Sequence, residues 1–557
     1  MSASNKNNQF LIQGSILAIA SILVRIIGLV YRVPMQRIYG LEGAGIYSKS
    51  FEIYNIMLII SSYSLPIAVA RLVAVRTAKK EHRNAYRVFL IAMMCAVIVG
   101  FIATLIVFFG ADLFTKLIKS PNSALPLRVL SPTIFVFSIM GVLRGFYQGK
   151  NTTIPTAVSQ VLEQIVNAVV SVVAAYLLVK NFSASVNVAA YGAAGGTFGT
   201  LTGAFISLLF LIFVFIIYKP VLNRQLKKDH SEVNESYKSI LKLLMITISP
   251  IILSQFVYQI SGLVDMALFG NIMSLKEVSL IDNEVLGVIP GQLYTTDNLD
   301  SLWGIYSNEY RLLTNVPVAI ATAIGATIVT TLATDYTSGL QDAIRAKVHS
   351  AVKFNMIIAI PSFVGMSVLA GPILRVIFAD RFTLSSNVMM LGSISIVFYA
   401  LSTITSAVLQ GINRLKTPVL HSAISLGIHI IIVFVLLHFT DLSTYALVIG
   451  NVTFPLVVCI LNWISIEKHL RYHQEIIKTF LIPFVCSGLM GVVVYFTYYG
   501  LNLLTGSMVL ALFIAILLAV IIYFILLIFL RGLNEEEIAS LPKGMAIISI
   551  LKRIHLL

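Results

Sequence analysis

What constrains this chain most is the recurrence of apolar runs of about 20 residues or more, broken by short polar segments. Fourteen are long enough to cross a bilayer: near 11–33, 44–75, 86–110, 126–148, 155–179, 189–218, 240–270, 303–334, 350–378, 386–411, 418–439, 443–466, 476–500 and 507–531. Runs this long, without alternation, exclude a β-barrel. Only 11% of the 557 residues are charged, against roughly a quarter in soluble domains. The expected fold is therefore all-α and integral to the membrane, with 14 transmembrane helices. The first run lacks a small-residue cleavage site and continues through Arg25, so it reads as a retained helix and not a signal peptide.

The formal charge of +15 would suit nucleic acid, but the basic residues sit mostly in short loops between the runs, where membrane topology explains them. Arg76, Lys79, Lys80, Arg83 and Arg87 follow the second run, and Lys219, Arg224, Lys227, Lys228 and Lys238 follow the sixth. The segment 271–302 instead carries Glu277, Asp282, Glu284, Asp297 and Asp300 against Lys276. The positive-inside rule then places both termini in the cytoplasm, which an even number of spans also requires. Cys95, Cys459 and Cys486 each lie inside an apolar run, without metal or redox spacing, and read as packing residues. The tail 532–557 carries Lys552 and Arg553 beside an apolar stretch, as a surface-lying amphipathic segment would.

The chain also repeats itself. "GIYSKSFEIYN" from Gly45 returns as "GIYSNEYRLLTN" from Gly304, and "YQGKNTTIPTAVS" around Gly149 returns as "LQGINRLKTPVLHS" around Gly411. Two matches in the same order at nearly the same offset imply duplication. The division expected is an N-lobe over 1–220 (six spans), a cytoplasmic linker over 221–239, a C-lobe over 240–470 (six spans), and 471–557 with two further spans and a tail. Lobes of six spans repeat in parallel, about an axis along the membrane normal, as in alternating-access transporters. No GxxxxGK[ST] loop, HExxH or CxxC occurs, so nothing points to a built-in ATPase or an enzyme.

Charges inside the runs are the site candidates. Arg25 and Arg32 are seven apart and fall within about 20° of each other on a helix, with Gly28 on nearly the same face. Arg25 lies roughly 10–12 Å below the outer end at 1.5 Å per residue. An arginine that deep costs at least about 2.5–3.5 kcal/mol unless it meets water or a partner, so the pair reads as lining an anion-binding cavity. Guanidinium matches phosphate through bidentate hydrogen bonds. Arg32, nearer the boundary, has snorkelling as its alternative. Lys49 and Glu52, three apart, are either substrate contacts or an intrahelical ion pair. Arg144 and Glu163 flank the loop 149–154 and can pair across adjacent helices, as a gate or as a structural pair. Asp265, the lone acid of the seventh span, is a candidate for coupling to a cation. His421 and His429 lie in the eleventh span, which offers no acid.

The segments "YRVPMQRIYGLEGAGIYS" (Tyr31 to Ser48) and "RGFYQGKNTTIPTAVSQVLEQ" (Arg144 to Gln164) resemble the polysaccharide-transporter branch of the multidrug/oligosaccharidyl-lipid/polysaccharide flippases, and within it the Gram-positive MurJ-like lipid II flippases and the stage V sporulation protein B group. The resemblance covers both lobes and the span count. It implies a two-lobed transporter with a cationic central cavity, which moves an undecaprenyl-pyrophosphate-linked saccharide, foremost lipid II, from the inner to the outer leaflet. In that family, arginines on the first, second and eighth helices line the cavity, and the last two helices form an apolar groove for the polyprenyl tail. Arg311 then becomes the eighth-helix candidate, with Glu309 or the acidic outer segment as rival partners. The family's first-helix pair is typically spaced by six, not seven, and an arginine midway along the second span is absent here, where Arg71 lies nearer the cytoplasmic end.

The implied setting is the plasma membrane of a Gram-positive bacterium, with membrane lipids and cell-wall synthesis proteins as partners. No cofactor or metal is expected, and sodium, proton and membrane potential all stay open as the coupling force. Two rival functions are a cation-coupled multidrug exporter and a scaffold for cell-wall or spore-coat enzymes. Arginines in the N-lobe and two extra spans favour an anionic lipid over cationic drugs. The topology has a direct check. Cysteines placed in 80–83 and 224–230 should react only from the cytoplasmic side, and those in 280–298 from outside intact cells. External labelling at 224–230 would reverse the orientation.

Overall fold

The computed structural model describes residues 3–229, 235–288 and 291–533, with 535 and 548. The tail expected as a surface segment lies almost wholly outside the described residues. The described residues are helical, and their one β feature is an isolated bridge between Glu277 and Leu293. In chain order the helices are α1 (Ala3–Leu58), α2 (Leu65–Ala78), α3 (His82–Leu117), α4 (Ala124–Gly149), α5 (Ile154–Asn181), α6 (Val188–Lys227), α7 (Tyr237–Met273), the short α8 (Leu280–Leu286), α9 (Thr296–Gly304), α10 (Leu312–Thr337), α11 (Gln341–Val368), α12 (Ala370–Ile377), α13 (Thr383–Gly392), α14 (Ser395–Gly411), α15 (Lys416–Phe439), α16 (Thr444–Leu470), α17 (Ile482–Thr505) and α18 (Met508–Phe529).

Thirteen helical segments among the described residues are long and apolar enough to cross a membrane. The first runs from Ile19 to Ala78. At 1.5 Å per residue it is about three times the thickness of a hydrocarbon core, so it cannot be one crossing. Gly40, at φ 72° and ψ −173°, breaks it; that left-handed backbone is open to glycine without steric cost. The two runs that flank Gly40 correspond to the first two apolar runs of the sequence.

The chain forms two compact units. The first comprises Met1–Val278 with Gly291–Ile305, and the second Ser279–Pro290 with Tyr306–Leu557. The division differs from the sequence repeat, because α7 and α9 count with the first unit. The linker expected over 221–239 is also shorter: α6 continues to Lys227 and α7 starts at Tyr237, where Ser236 accepts a hydrogen bond from the Ser239 N–H. Asp229 and Glu235 tie this joint to the start of α3 and the end of α2. The Arg83 N–H donates to Asp229 at 2.5 Å, and Arg76 Nε donates to Glu235 at 3.0 Å.

Within the first unit a glycine ridge sets the closest helix pair. Gly195, Gly199 and Gly203 of α6 recur every fourth residue and press on the backbone of α5. A methyl carbon added to Gly199 would lie 2.0 Å from Ser171 Oγ and 2.7 Å from Asn167 O, and one added to Gly203 would lie 2.5 Å from Glu163 O. Small residues at this spacing let two backbones approach where lipid supplies no hydrophobic drive between helices. The approach fixes α5 and carries Ser159 and Glu163 with it.

The second unit packs α10, α11, α14 and α16 around Leu332, Val348, Met356, Ile404 and Val408. The last two helices form a separate cluster on α11 through Cys486, Met490, Val494 and Tyr523. Glycine tests separate packing from propensity. Gly199→Leu should destabilise the protein by about 1–3 kcal/mol through overpacking. Gly427→Ala, with nothing within 4 Å of the added carbon, should stabilise it by roughly 0.5–1 kcal/mol. Thermal unfolding of the purified protein reads both.

Candidate functional site

The first unit holds most of the candidate charges, and their surroundings differ sharply. Arg25 is exposed, and no hydrogen bond or ion pair joins it to the described residues. Gly28 turns toward α5, where a methyl carbon would lie 3.3 Å from the Gln164 side chain. That contact seats the first half of α1 on α5 and leaves Arg25 off the packed face. Arg32 is half-buried in an aromatic box: its guanidinium carbon lies 5.8 Å from the centre of the Tyr47 ring, and the Tyr31 and Tyr47 hydroxyls are 3.1 Å apart. A cation over an aromatic face is stabilised by the ring quadrupole. Arg25 and Arg32 therefore share a helix but not an environment.

Lys49 is fully buried, and its partner is not Glu52. Its ammonium lies 2.7 Å from Asp300 Oδ1 on α9. The intrahelical alternative gives way because a carboxylate from another helix is already seated there. Ser120 donates to the same Oδ1 at 2.7 Å, and the Lys49 ammonium lies 6.0 Å from the centre of the Trp303 ring. This ion pair sits on a tight crossing built by the repeated glycines. A methyl carbon added to Gly45 would lie 1.7 Å from Asp300 O, and one added to Gly304 would lie 2.3 Å from Leu41 O. Each glycine meets the carbonyl four residues before the other. Lys49 is thus committed to α9 in this structure, a contact that the sequence alone did not indicate.

Glu52 lies one turn further along α1, with its carboxylate 3.0 Å from the position a methyl carbon on Gly262 of α7 would take. Asp265, three residues on, is buried in the same helix. The structure therefore sets Glu52 against the α7 segment that carries Asp265.

Arg144 and Glu163 meet at 2.8 Å across α4 and α5. Arg144 Nε also donates to Ser159 Oγ at 3.0 Å, and its Nη2 lies 3.1 Å from Ser207 Oγ on α6. The guanidinium thus ties three helices together near the loop 149–154. In that loop, burial lowers the Lys150 ammonium from the ordinary lysine value while Asp229 acts in the opposite direction.

In the second unit, Arg311 ends a π-helical turn, Ile305–Arg311, and its guanidinium carbon lies 5.8 Å from the Tyr306 ring centre. Such wide turns reorient side chains, often at functional positions. A polar knot joins three helices here as well. His421 Nδ1 lies 2.8 Å from Asn462 Oδ1, and the Asn462 amide donates to Ser406 Oγ at 2.9 Å and to Thr405 Oγ1 at 3.1 Å. His429 Nδ1 lies 2.9 Å from Gly450 O. Among the described residues no group of three or more His, Cys, Asp or Glu side chains is placed to hold a metal.

Helices of spanning length around the buried Lys49–Asp300 and Arg144–Glu163 pairs define a multi-pass, helical membrane protein. The sequence matches the polysaccharide biosynthesis protein family over residues 11–334, and the lipid II flippase MurJ family over residues 304–519. The chain belongs to the polysaccharide biosynthesis protein family. It is 26% identical over 494 residues to the lipid II flippase MurJ of Bacillus subtilis (strain 168), with 86% of each chain covered. It is 23% identical over 540 residues to the stage V sporulation protein B of the same organism, covering 96% of this chain and 98% of that one. Its fold is similar to a lipid II flippase MurJ in an inward closed conformation, at TM-score 0.64, 17% identity, and coverage of 92% and 98%. It is also similar to an inward-facing multidrug resistance MATE transporter of the MOP superfamily, at TM-score 0.56, 15% identity, and coverage of 81% and 99%.

The Arg144–Glu163 pair yields a prediction. Arg144→Leu alone should cost about 3–5 kcal/mol, because it strands a carboxylate, while Arg144→Leu with Glu163→Leu should cost far less. Thermal unfolding of the two purified variants checks the coupling.

Proposed function

We propose that this protein moves an undecaprenyl-pyrophosphate-linked saccharide, foremost the peptidoglycan precursor lipid II, from the inner to the outer leaflet. It works by alternating access through a cationic cavity in the plasma membrane of a Gram-positive bacterium, with both termini cytoplasmic. The observation that carries this reading is Arg25: a guanidinium deep in the first span, exposed, with no partner among the described residues. A charge so placed is costly unless water or an anion serves it, and a pyrophosphate offers the bidentate acceptor geometry it matches. Arg32 and Arg311 are the further cationic contacts, and Asp265 is the coupling residue. The similarity to a lipid II flippase over most of both chains supports the cargo. Similarity to a stage V sporulation protein over still more of both chains favours a second reading, in which the same mechanism serves another lipid-linked glycan.

Arg25→Ala should lower transport by about tenfold or more, the loss expected for a charge-assisted bond, and abolish rescue of a cell depleted of its lipid II flippase while the protein still reaches the membrane. Arg25→Lys should rescue in part, because it keeps charge but loses the planar fork. Full growth with a normally inserted Arg25→Ala protein contradicts the reading.

A further inference from the structure

The Lys49–Asp300 pair carries an inference beyond cargo transport. Both side chains are fully shielded from solvent. Asp300 Oδ1 holds two donors, the Lys49 ammonium and the Ser120 hydroxyl, each at 2.7 Å. Asp300 Oδ2 is buried and has no hydrogen-bond partner among the described residues. A buried carboxylate oxygen without a donor is an exception in folded proteins, and it is the atom on which a proton can be placed without breaking an existing bond. The surroundings lead outward through other acids. Glu42 of α1 is half-buried, and Asp297, one turn before Asp300 on α9, is exposed and accepts from Asn122 at 3.1 Å. From α7, Phe269 packs on Trp303 at 6.2 Å between ring centres, with Asp265 one turn earlier.

The repeat shows what the pair adds. Gly45 and Gly304 hold equivalent places in the two copies of "GIYS", and their crossing is reciprocal at the backbone. Four residues after Gly45 comes Lys49, but four after Gly304 comes Asn308; four before Gly304 comes Asp300, but four before Gly45 comes Leu41. A near-symmetric crossing therefore carries one ion pair, on one side. A smooth glycine contact supplies close fit, and the single ion pair supplies the charge term that protonation can remove.

We propose that Asp300 is a proton-binding site that latches α9 onto the second half of α1. A proton from the outer side binds Oδ2 and converts the carboxylate to a neutral acid. Lys49 keeps its charge and loses its counter-charge. A buried cation without a partner is strongly unfavourable. Hydration of Lys49 relieves it, and water reaches the ammonium when α9 leaves the Gly45 face. Release of the proton restores the pair and closes the crossing. The inference concerns the ion that this crossing senses and rests on no assumption about the lipid cargo.

Trp303 is a built-in reporter, because it is fully buried, lies on α9, and stands beside Lys49. The only other tryptophan of the chain is Trp463. In full-length protein carrying Trp463→Phe, acrylamide quenching of Trp303 should rise roughly threefold between neutral and mildly acidic pH, as a protonation-linked opening requires. Asp300→Asn should show the high value at both pH values. Lys49→Met combined with Asp300→Leu should show the low value at both, with helical circular dichroism unchanged throughout. A parent protein whose quenching does not change with pH overturns the proposal, and so does an Asp300→Asn protein that still titrates. If Asp300→Asn fails to accumulate, the apolar pair decides: a titration that persists there contradicts the assignment, and one that vanishes supports it. No lipid-linked substrate enters the measurement, so its failure leaves the cargo reading untouched.

Discussion

A charge between helices in hydrocarbon has to be paired, placed against a ring, wetted, or served by a ligand, and the arrangement of this protein follows from how each charge meets that condition. Lys49 meets it with Asp300, Arg144 with Glu163, and Arg32 with the face of Tyr47. Arg25 meets it with none of the described residues. The Lys49–Asp300 and Arg144–Glu163 pairs join separate helices of the first unit, and the Arg32–Tyr47 contact lies within α1. The unsatisfied one is where the physics calls for water or an anion, and the functional proposal rests on it.

The two pairs of matching sequence segments, at Gly45 and Gly304 and at Gly149 and Gly411, carry different polar contents. Arg144 precedes Gly149 by five residues, as Ser406 precedes Gly411. Around Arg144 the first unit builds a charged knot with Glu163, Ser159 and Ser207. Around Ser406 the second unit builds a knot without a guanidinium or a carboxylate, from Asn462, Thr405 and His421. Each joins three helices near the same loop of its repeat. The glycine crossing shows a similar divergence, with one ion pair where full symmetry would give two or none. A knot built on a buried ion pair responds to changes in the ionisation of its members.

The membrane class and the helices were legible because hydropathy is a local property of a sequence. The pairing of Arg144 with Glu163 was legible for the same reason: a short loop forces their helices to be neighbours. Lys49 was not. Its nearest acid in sequence is Glu52, but its partner lies 251 positions away on α9, and only the Gly45–Gly304 crossing brings the two together. The matching glycines were visible as a repeat, though nothing in one sequence says that the two copies touch. Arg25 and Arg32 share a helical face by periodicity, yet their surroundings differ because Tyr31 and Tyr47 close around only one of them. The linker came out shorter than expected because α6 keeps its helix to Lys227, past the end of the apolar run and past Pro220.

If a cationic site carries an anionic pyrophosphate headgroup across the membrane, the charge of the lipid decides whether it crosses. The direct measurement is translocation in proteoliposomes of purified protein, comparing fluorescent lipid II with a neutral polyprenyl-linked saccharide of the same chain length. Lipid II should cross in the presence of the protein, and the neutral lipid should not. Soluble pyrophosphate-bearing headgroup should also compete with lipid II. Equal translocation of the two lipids, or movement of neither by protein that is folded and inserted, would contradict the cationic-site proposal.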